Sequence, residues 1–195
     1  MSDRDYSHFI AVTNRALCRG DFLGRIEAIT DGTGLRGVIL REKDLPEEEY
    51  RDLASAVLKI CRAHGVPLFL HSRVSLAREL GCEGLHLSIP ALRDLLSGPE
   101  GKEALRSFRE VSVSCHSKDD VQEAVAAGAT MIILGTIFET DCKKGLKGRG
   151  TDFIRSVTEN CPIPVYAIGG IKESNLGDVL AAGAAGGCMM SGFMA

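Results

Sequence analysis

The chain has 195 residues, 45% of them apolar, enough for one domain to bury a sizeable core without disulfide or structural metal. Its formal charge is −3, with 23 basic and 26 acidic residues interspersed, which excludes the basic stripe of a nucleic-acid binder and points to a small partner. No apolar run approaches the roughly 18 residues of a membrane span, and the opening MSDRDYSHFIAV lacks the basic-then-apolar order of a secretion signal.

In chain order, a first strand is predicted over 8–14, followed by the loop TNRALCRG. A second strand is predicted over 37–42, and then PEEEYRDLASAVLKICRAHG gives a helix with Pro46 as opener, an acidic first turn and Gly65 as its stop. Strands follow over 67–72, 84–88, 110–115, 130–138, 164–169 and 187–191. Before the sixth strand lies SKDDVQEAVAAG, a helix with Ser117 as its cap.

Three segments share one local plan: ARELGCEGLHLS, AVAAGATMIILG and VLAAGAAGGCMMSG. In each, an amphipathic stretch reaches a glycine able to take the left-handed conformation, and a short apolar run then reads as a strand buried on both faces. Gly81, Gly128 and Gly183 are spaced by about two units of the roughly 25 residues expected when a barrel divides such a chain into eight. Alternating strands and helices with short joints imply a parallel sheet. The predicted fold is therefore an α/β (β/α)8 TIM barrel, one domain over 1–195. The rival is an open doubly wound sheet, but its glycine-rich phosphate loop is not matched by TNRALCRG. The stop at GFMA leaves the last helix short or missing, so that another copy in a homodimer could cover that flank.

Active sites of such barrels form at the carboxyl ends of the strands. Gly169-Gly170 after strand seven and Ser191-Gly192 after strand eight suit a phosphate cradle, because glycine admits phosphate oxygens close to backbone N–H groups; as turns alone they would merely connect elements. Arg41 and Lys43 after strand two either grip an anion or belong to a solvated charge run. His116 after strand five is either an acid/base group or a helix-capping polar residue. His71, His86 and His116 lack acidic companions and metal-ligand spacing, so no metal is expected. The loop FETDCKKGLKGRG (138–150) reads as a charged lid or as a surface excursion.

Seven cysteines stand singly: Cys18, Cys61, Cys82, Cys115, Cys142, Cys161 and Cys188. An odd count without a CxxC pair is the usage of a reducing compartment, so the expected location is the cytoplasm.

Taken in order, VILREKDL, PLFLHSRVSLARELGCEGLHLS, SVSCHS, FETDCKKGLKGRG and PVYAIGGI with MSG resemble the thiamin phosphate synthase and TenI family. The lid sequence is most similar to the TenI branch. The synthases carry a Gln-x-Arg-x-Lys motif; here Ile39 replaces the glutamine while Arg41 and Lys43 remain. They also use an Asn-Asp pair after strand three and an aspartate after strand four to hold magnesium, where this chain has His71-Ser72 and Ala91. The TenI resemblance implies a cofactor-free and metal-free thiazole tautomerase that aromatises a thiazole carboxylate phosphate tautomer with His116 as acid/base. Gly169, Gly170, Ser191 and Gly192 would hold the phosphate, and Arg41, with Lys43, His71 or Lys143, the rest of the substrate. Two alternatives stand beside it: a thiamin phosphate synthase-like transferase, and a non-catalytic protein that binds thiazole or thiamin phosphate and regulates a partner.

Overall fold

The computed structural model describes residues 5–140 and 147–195. Eight parallel strands close on themselves in sequence order: β1 (Phe9–Val12), β2 (Gly37–Leu40), β3 (Leu68–His71), β4 (Gly84–Ser88), β5 (Glu110–Cys115), β6 (Met131–Gly135), β7 (Val165–Ile168) and β8 (Gly186–Met189). The seam is a parallel pairing of the first and last strands, with Ile10 opposite Cys188. All eight predicted strands are present, and the TIM barrel is the observed architecture.

The strands read as unbroken apolar runs because both faces are buried. Outward-facing Ala11, Val38, Leu40, Leu70, Leu87, Val113 and Ile132 pack under the helices. Inward-facing Ile10, Val12, Ile39, Phe69, Met131, Ile133, Tyr166 and Cys188 fill the lumen. Phe69 occupies space that its neighbours leave open: a Cβ on Gly37 would lie 2.9 Å from its ring, and one on Gly84 2.7 Å.

The helices follow their local signals. The helix α2 (Glu47–Ala63) starts after Pro46 with three glutamates in its first turn, which complements the helix dipole. The helix α6 (Lys118–Ala127) is held by a capping box between Ser117 and Asp120. Gly81, Gly128 and Gly183, the three repeated joints, all adopt positive φ. The sixth strand is shorter than its apolar sequence predicted. Residues 136–138 lie beyond its end, although Ile137 N–H still donates to Ile168 O and Phe138 N–H to Gly169 O at the β7 exit.

The last helix, α9 (Ser191–Met194), has a single turn. The flank it leaves is covered from within the chain, as Tyr6, Phe9 and Phe193 pack edge-on with ring centroids 5.0 to 6.1 Å apart. Phe193 and Met194 are buried there. Among the described residues, no helix is long and apolar enough to cross a membrane.

Candidate functional site

At the carboxyl end of β5 the chain turns sharply into α6, and His116 stands at that turn. Its Nδ1 lies 2.7 Å from Gly135 O at the end of β6. A carbonyl can only accept, so Nδ1 carries the hydrogen and Nε2 of the neutral ring is left as the proton-accepting nitrogen. The His116 amide donates to Asp120 Oδ2 at 2.7 Å, and its carbonyl accepts from the Arg149 guanidinium.

Beside this turn the lumen is polar. The His86 ring sits between two hydroxyls, Ser112 Oγ at 2.8 Å from Nδ1 and Ser114 Oγ at 2.9 Å from Nε2. Above it stands His71, with ring centroids 5.4 Å apart and Nδ1 3.0 Å from Ser72 Oγ. Burial pushes the His71 imidazole down to about 4, with the charges of Lys43, Arg41 and Arg73 adding to the effect. Burial likewise pushes His86 down to about 3, followed by His71, Arg41 and Lys43. Both rings are therefore neutral at pH 7 and serve as hydrogen-bonding walls rather than charges. His86 thus lies inside the barrel, within β4 as its predicted strand over 84–88 places it.

A cavity of about 350 Å³ opens here, lined by Glu42, Lys43, Tyr50, His71, Ser72, Arg73 and Ser88. Ser72 has φ of +56°, a left-handed conformation that costs a non-glycine residue free energy and is typically retained at functional sites. Its amide donates to His86 O at 2.9 Å, which fixes the turn. Arg73 lies over the Tyr50 ring, 5.0 Å from its centroid. Glu42, between the two predicted cations, is buried and already engaged: its carboxylate accepts the Arg15 amide at 3.0 and 3.2 Å, and Arg15 continues to Asp44 at 2.8 Å.

The predicted phosphate cradle lies on the other side of the mouth. The pairing of Ile168 with Cys188 sets the loops after β7 and β8 side by side. Gly169 and Gly170 have φ of +99° and +64°, and a Cβ on Gly170 would lie 2.6 Å from Glu139 O, so packing against the loop after β6 itself requires glycine there. Ser191 and Gly192 are exposed in the first turn of α9. Around the ring, β5 stands three strands from β2 and three from β8. His116 is therefore placed between the cationic side and the glycine side. Lys143 and Cys142 lie outside the described residues.

The magnesium that metal-dependent synthases hold with carboxylates finds poor donors here. Ser72 Oγ is paired with His71, Glu42 is engaged by Arg15, and Ala91 offers no side-chain donor. A hard cation needs anionic oxygens, and among the described residues no group of three or more His, Cys, Asp or Glu side chains is arranged to hold a metal. The residues present do not fit this ion.

Sequence reasoning missed Arg149, the Glu42–Arg15 anchor and the two serines around His86. The alternation of SVSCHS, with a serine at every second residue before His116, was the available signal for the serines. Nothing in the composition of 138–150 distinguished Arg149 from the neighbouring cations.

Residues 9–193 match the family TMP-TENI, described as thiamine monophosphate synthase. A Geobacter sulfurreducens protein provisionally named thiamine-phosphate synthase is 36% identical over 197 residues, spanning 100% of this chain and 90% of that protein. The thiamine-phosphate synthase of Syntrophomonas wolfei is 31% identical over 196 residues, spanning 100% of this chain and 91% of the relative. Among solved structures, thiamine phosphate pyrophosphorylase from Pyrococcus furiosus matches with a TM-score of 0.78 at 25% identity, over 96% of this chain and 87% of that one. These names weigh toward the transferase alternative over the tautomerase and do not separate the two branches. The match runs from the first strand into the last helix, and the chain belongs to the thiamine monophosphate synthase family.

Proposed function

We propose that this chain is an enzyme acting on a small phosphorylated thiazole, and that its chemistry is the aromatisation of a thiazole carboxylate phosphate tautomer. The observation that carries this reading is the Nδ1–H bond from His116 to Gly135 O, which leaves Nε2 as a base at the barrel mouth. In this reading Nε2 takes a proton from one position of the ring and the resulting imidazolium returns one to another atom, so the proton count is unchanged. Backbone groups of Gly169, Gly170, Ser191 and Gly192 hold the phosphate. Arg41 and Lys43 hold the carboxylate, and the neutral His71 ring offers it a hydrogen bond.

The test is conversion of the tautomer, followed by absorbance with chelator present, for wild type and His116→Ala. Metal-independent turnover that falls about 100-fold or more in the variant, with product binding retained, is expected for loss of an acid/base group. Equal rates in the two proteins would remove His116 from the chemistry.

The second reading is coupling of thiazole phosphate with a pyrimidine diphosphate, favoured by the names of the relatives above. Against it stands the donor set at Ser72 and Ala91. Magnesium-dependent appearance of thiamin phosphate from those two substrates would decide for this transferase.

A further inference from the structure

His116 is fixed from three separate elements. Asp120 at the start of α6 holds its amide, Gly135 at the end of β6 holds its ring, and Arg149, 33 residues away, holds its carbonyl. The first two follow from the local capping box and from strand pairing. The third comes from the far end of the loop after β6, and neither the capping box nor the barrel pairing requires it.

We propose that Arg149 is a positioning residue for the His116 imidazole, clamping from the loop after β6 the peptide on which that ring is mounted. The inference rests on the acid/base reading of His116. The Arg149 guanidinium lies over the Phe153 ring, with Cζ 3.4 Å from the centroid, and Phe153 is itself buried in the first turn of α7 (Gly150–Thr158). The backbone of the clamp is tied as well, since Arg149 N–H donates to Thr136 O at 3.1 Å and Gly150 N–H to Ile137 O at 2.9 Å. A stacked guanidinium has its N–H groups in one plane, and this one is aimed past the ring edge at the His116 carbonyl. A lysine carries the charge but neither the plane nor the fork.

Releasing the carbonyl lets the 116–117 peptide tilt, and the ring moves with its Cα–Cβ bond. The Nδ1–H bond to Gly135 then weakens, and with it the restriction to one tautomer. Misplacement of about 1 Å at a reacting group costs up to about 100-fold in rate. The proposed substrate contacts, on the β2, β3 and β7–β8 sides of the mouth, are left alone, so the loss belongs in kcat and not in KM.

The experiment is tautomer conversion by wild type, Arg149→Met, Arg149→Lys and His116→Ala, together with nitrogen-15 spectra of the His116 ring. Arg149→Met is expected to lose roughly 10- to 100-fold in kcat with KM held within about twofold. Its ring nitrogens are expected to report mixed tautomers where the wild type shows Nδ1–H alone, and Arg149→Lys is expected to recover part of both. Wild-type kcat in Arg149→Met, or a rise in KM alone, overturns the inference; the latter would make Arg149 a ligand contact. If Arg149→Met does not fold, Arg149→Lys decides, with lowered kcat at unchanged KM supporting the clamp and wild-type kinetics overturning it. Full activity in His116→Ala would instead bring down the acid/base reading beneath it.

Discussion

The two buried imidazoles give the molecule a definite response to acid. Burial lowers His71 to about 4 and His86 to about 3 in the folded chain, against the ordinary imidazole value of 6.5. Between those values and 6.5 the unfolded chain binds protons that the folded chain does not, so stability rises with pH across that window and is lost as pH falls through it. Urea unfolding from neutral pH down toward 4 should show a midpoint that drops steadily. In His86→Gln the slope should be shallower, and an unchanged slope would mean that His86 does not titrate this way. At this scale the sequence was only half legible. The position of His116 was readable because it follows a buried strand and precedes a capped helix. The inward place of His86 between Ser112 and Ser114 was not read, because a strand's last residues do not reveal where the mouth begins. Arg149 was hidden for a different reason: its partner is a backbone carbonyl 33 residues earlier, and backbone acceptors leave no mark in a sequence.

The helix after β5 shows why elements were more legible than residues. Ser117, Asp120 and Gly128 form a start and a stop within one segment, each acting over three or four positions, which is the range a sequence reading can see. Ser117→Ala should cost about 1 kcal/mol of unfolding free energy, and chemical denaturation would measure it. Because Asp120 Oδ2 also accepts the His116 amide, the same change should lower turnover more than the lost stability accounts for. Turnover intact in a folded Ser117→Ala protein would separate the cap from the site. Strand ends were less legible. Ile137 is buried like a strand residue and its amide bonds to Ile168 O, yet it lies past the end of β6, and a buried loop start cannot be told from a strand by apolarity alone.

At the scale of the whole molecule the barrel followed from the regular succession of joints, since eight parallel strands with short crossovers have few ways to avoid open edges. What the sequence did not reveal is how the segment after β8 packs against the first strand. Tyr6, Phe9 and Phe193 cover the seam, and Phe193→Ala should destabilise the fold by about 3–5 kcal/mol. A loss below about 1 kcal/mol, typical of an exposed site, would mean the trio is not what closes that flank.

The seam also sets an order of events during synthesis. The partner of β1 on one side is β8, so the first strand of the barrel waits for the eighth before its second edge is paired. Throughout translation that edge offers free amides and carbonyls to any extended segment nearby. Ring closure is thus the last of the eight pairings to become possible, and until then the first strand keeps one edge open.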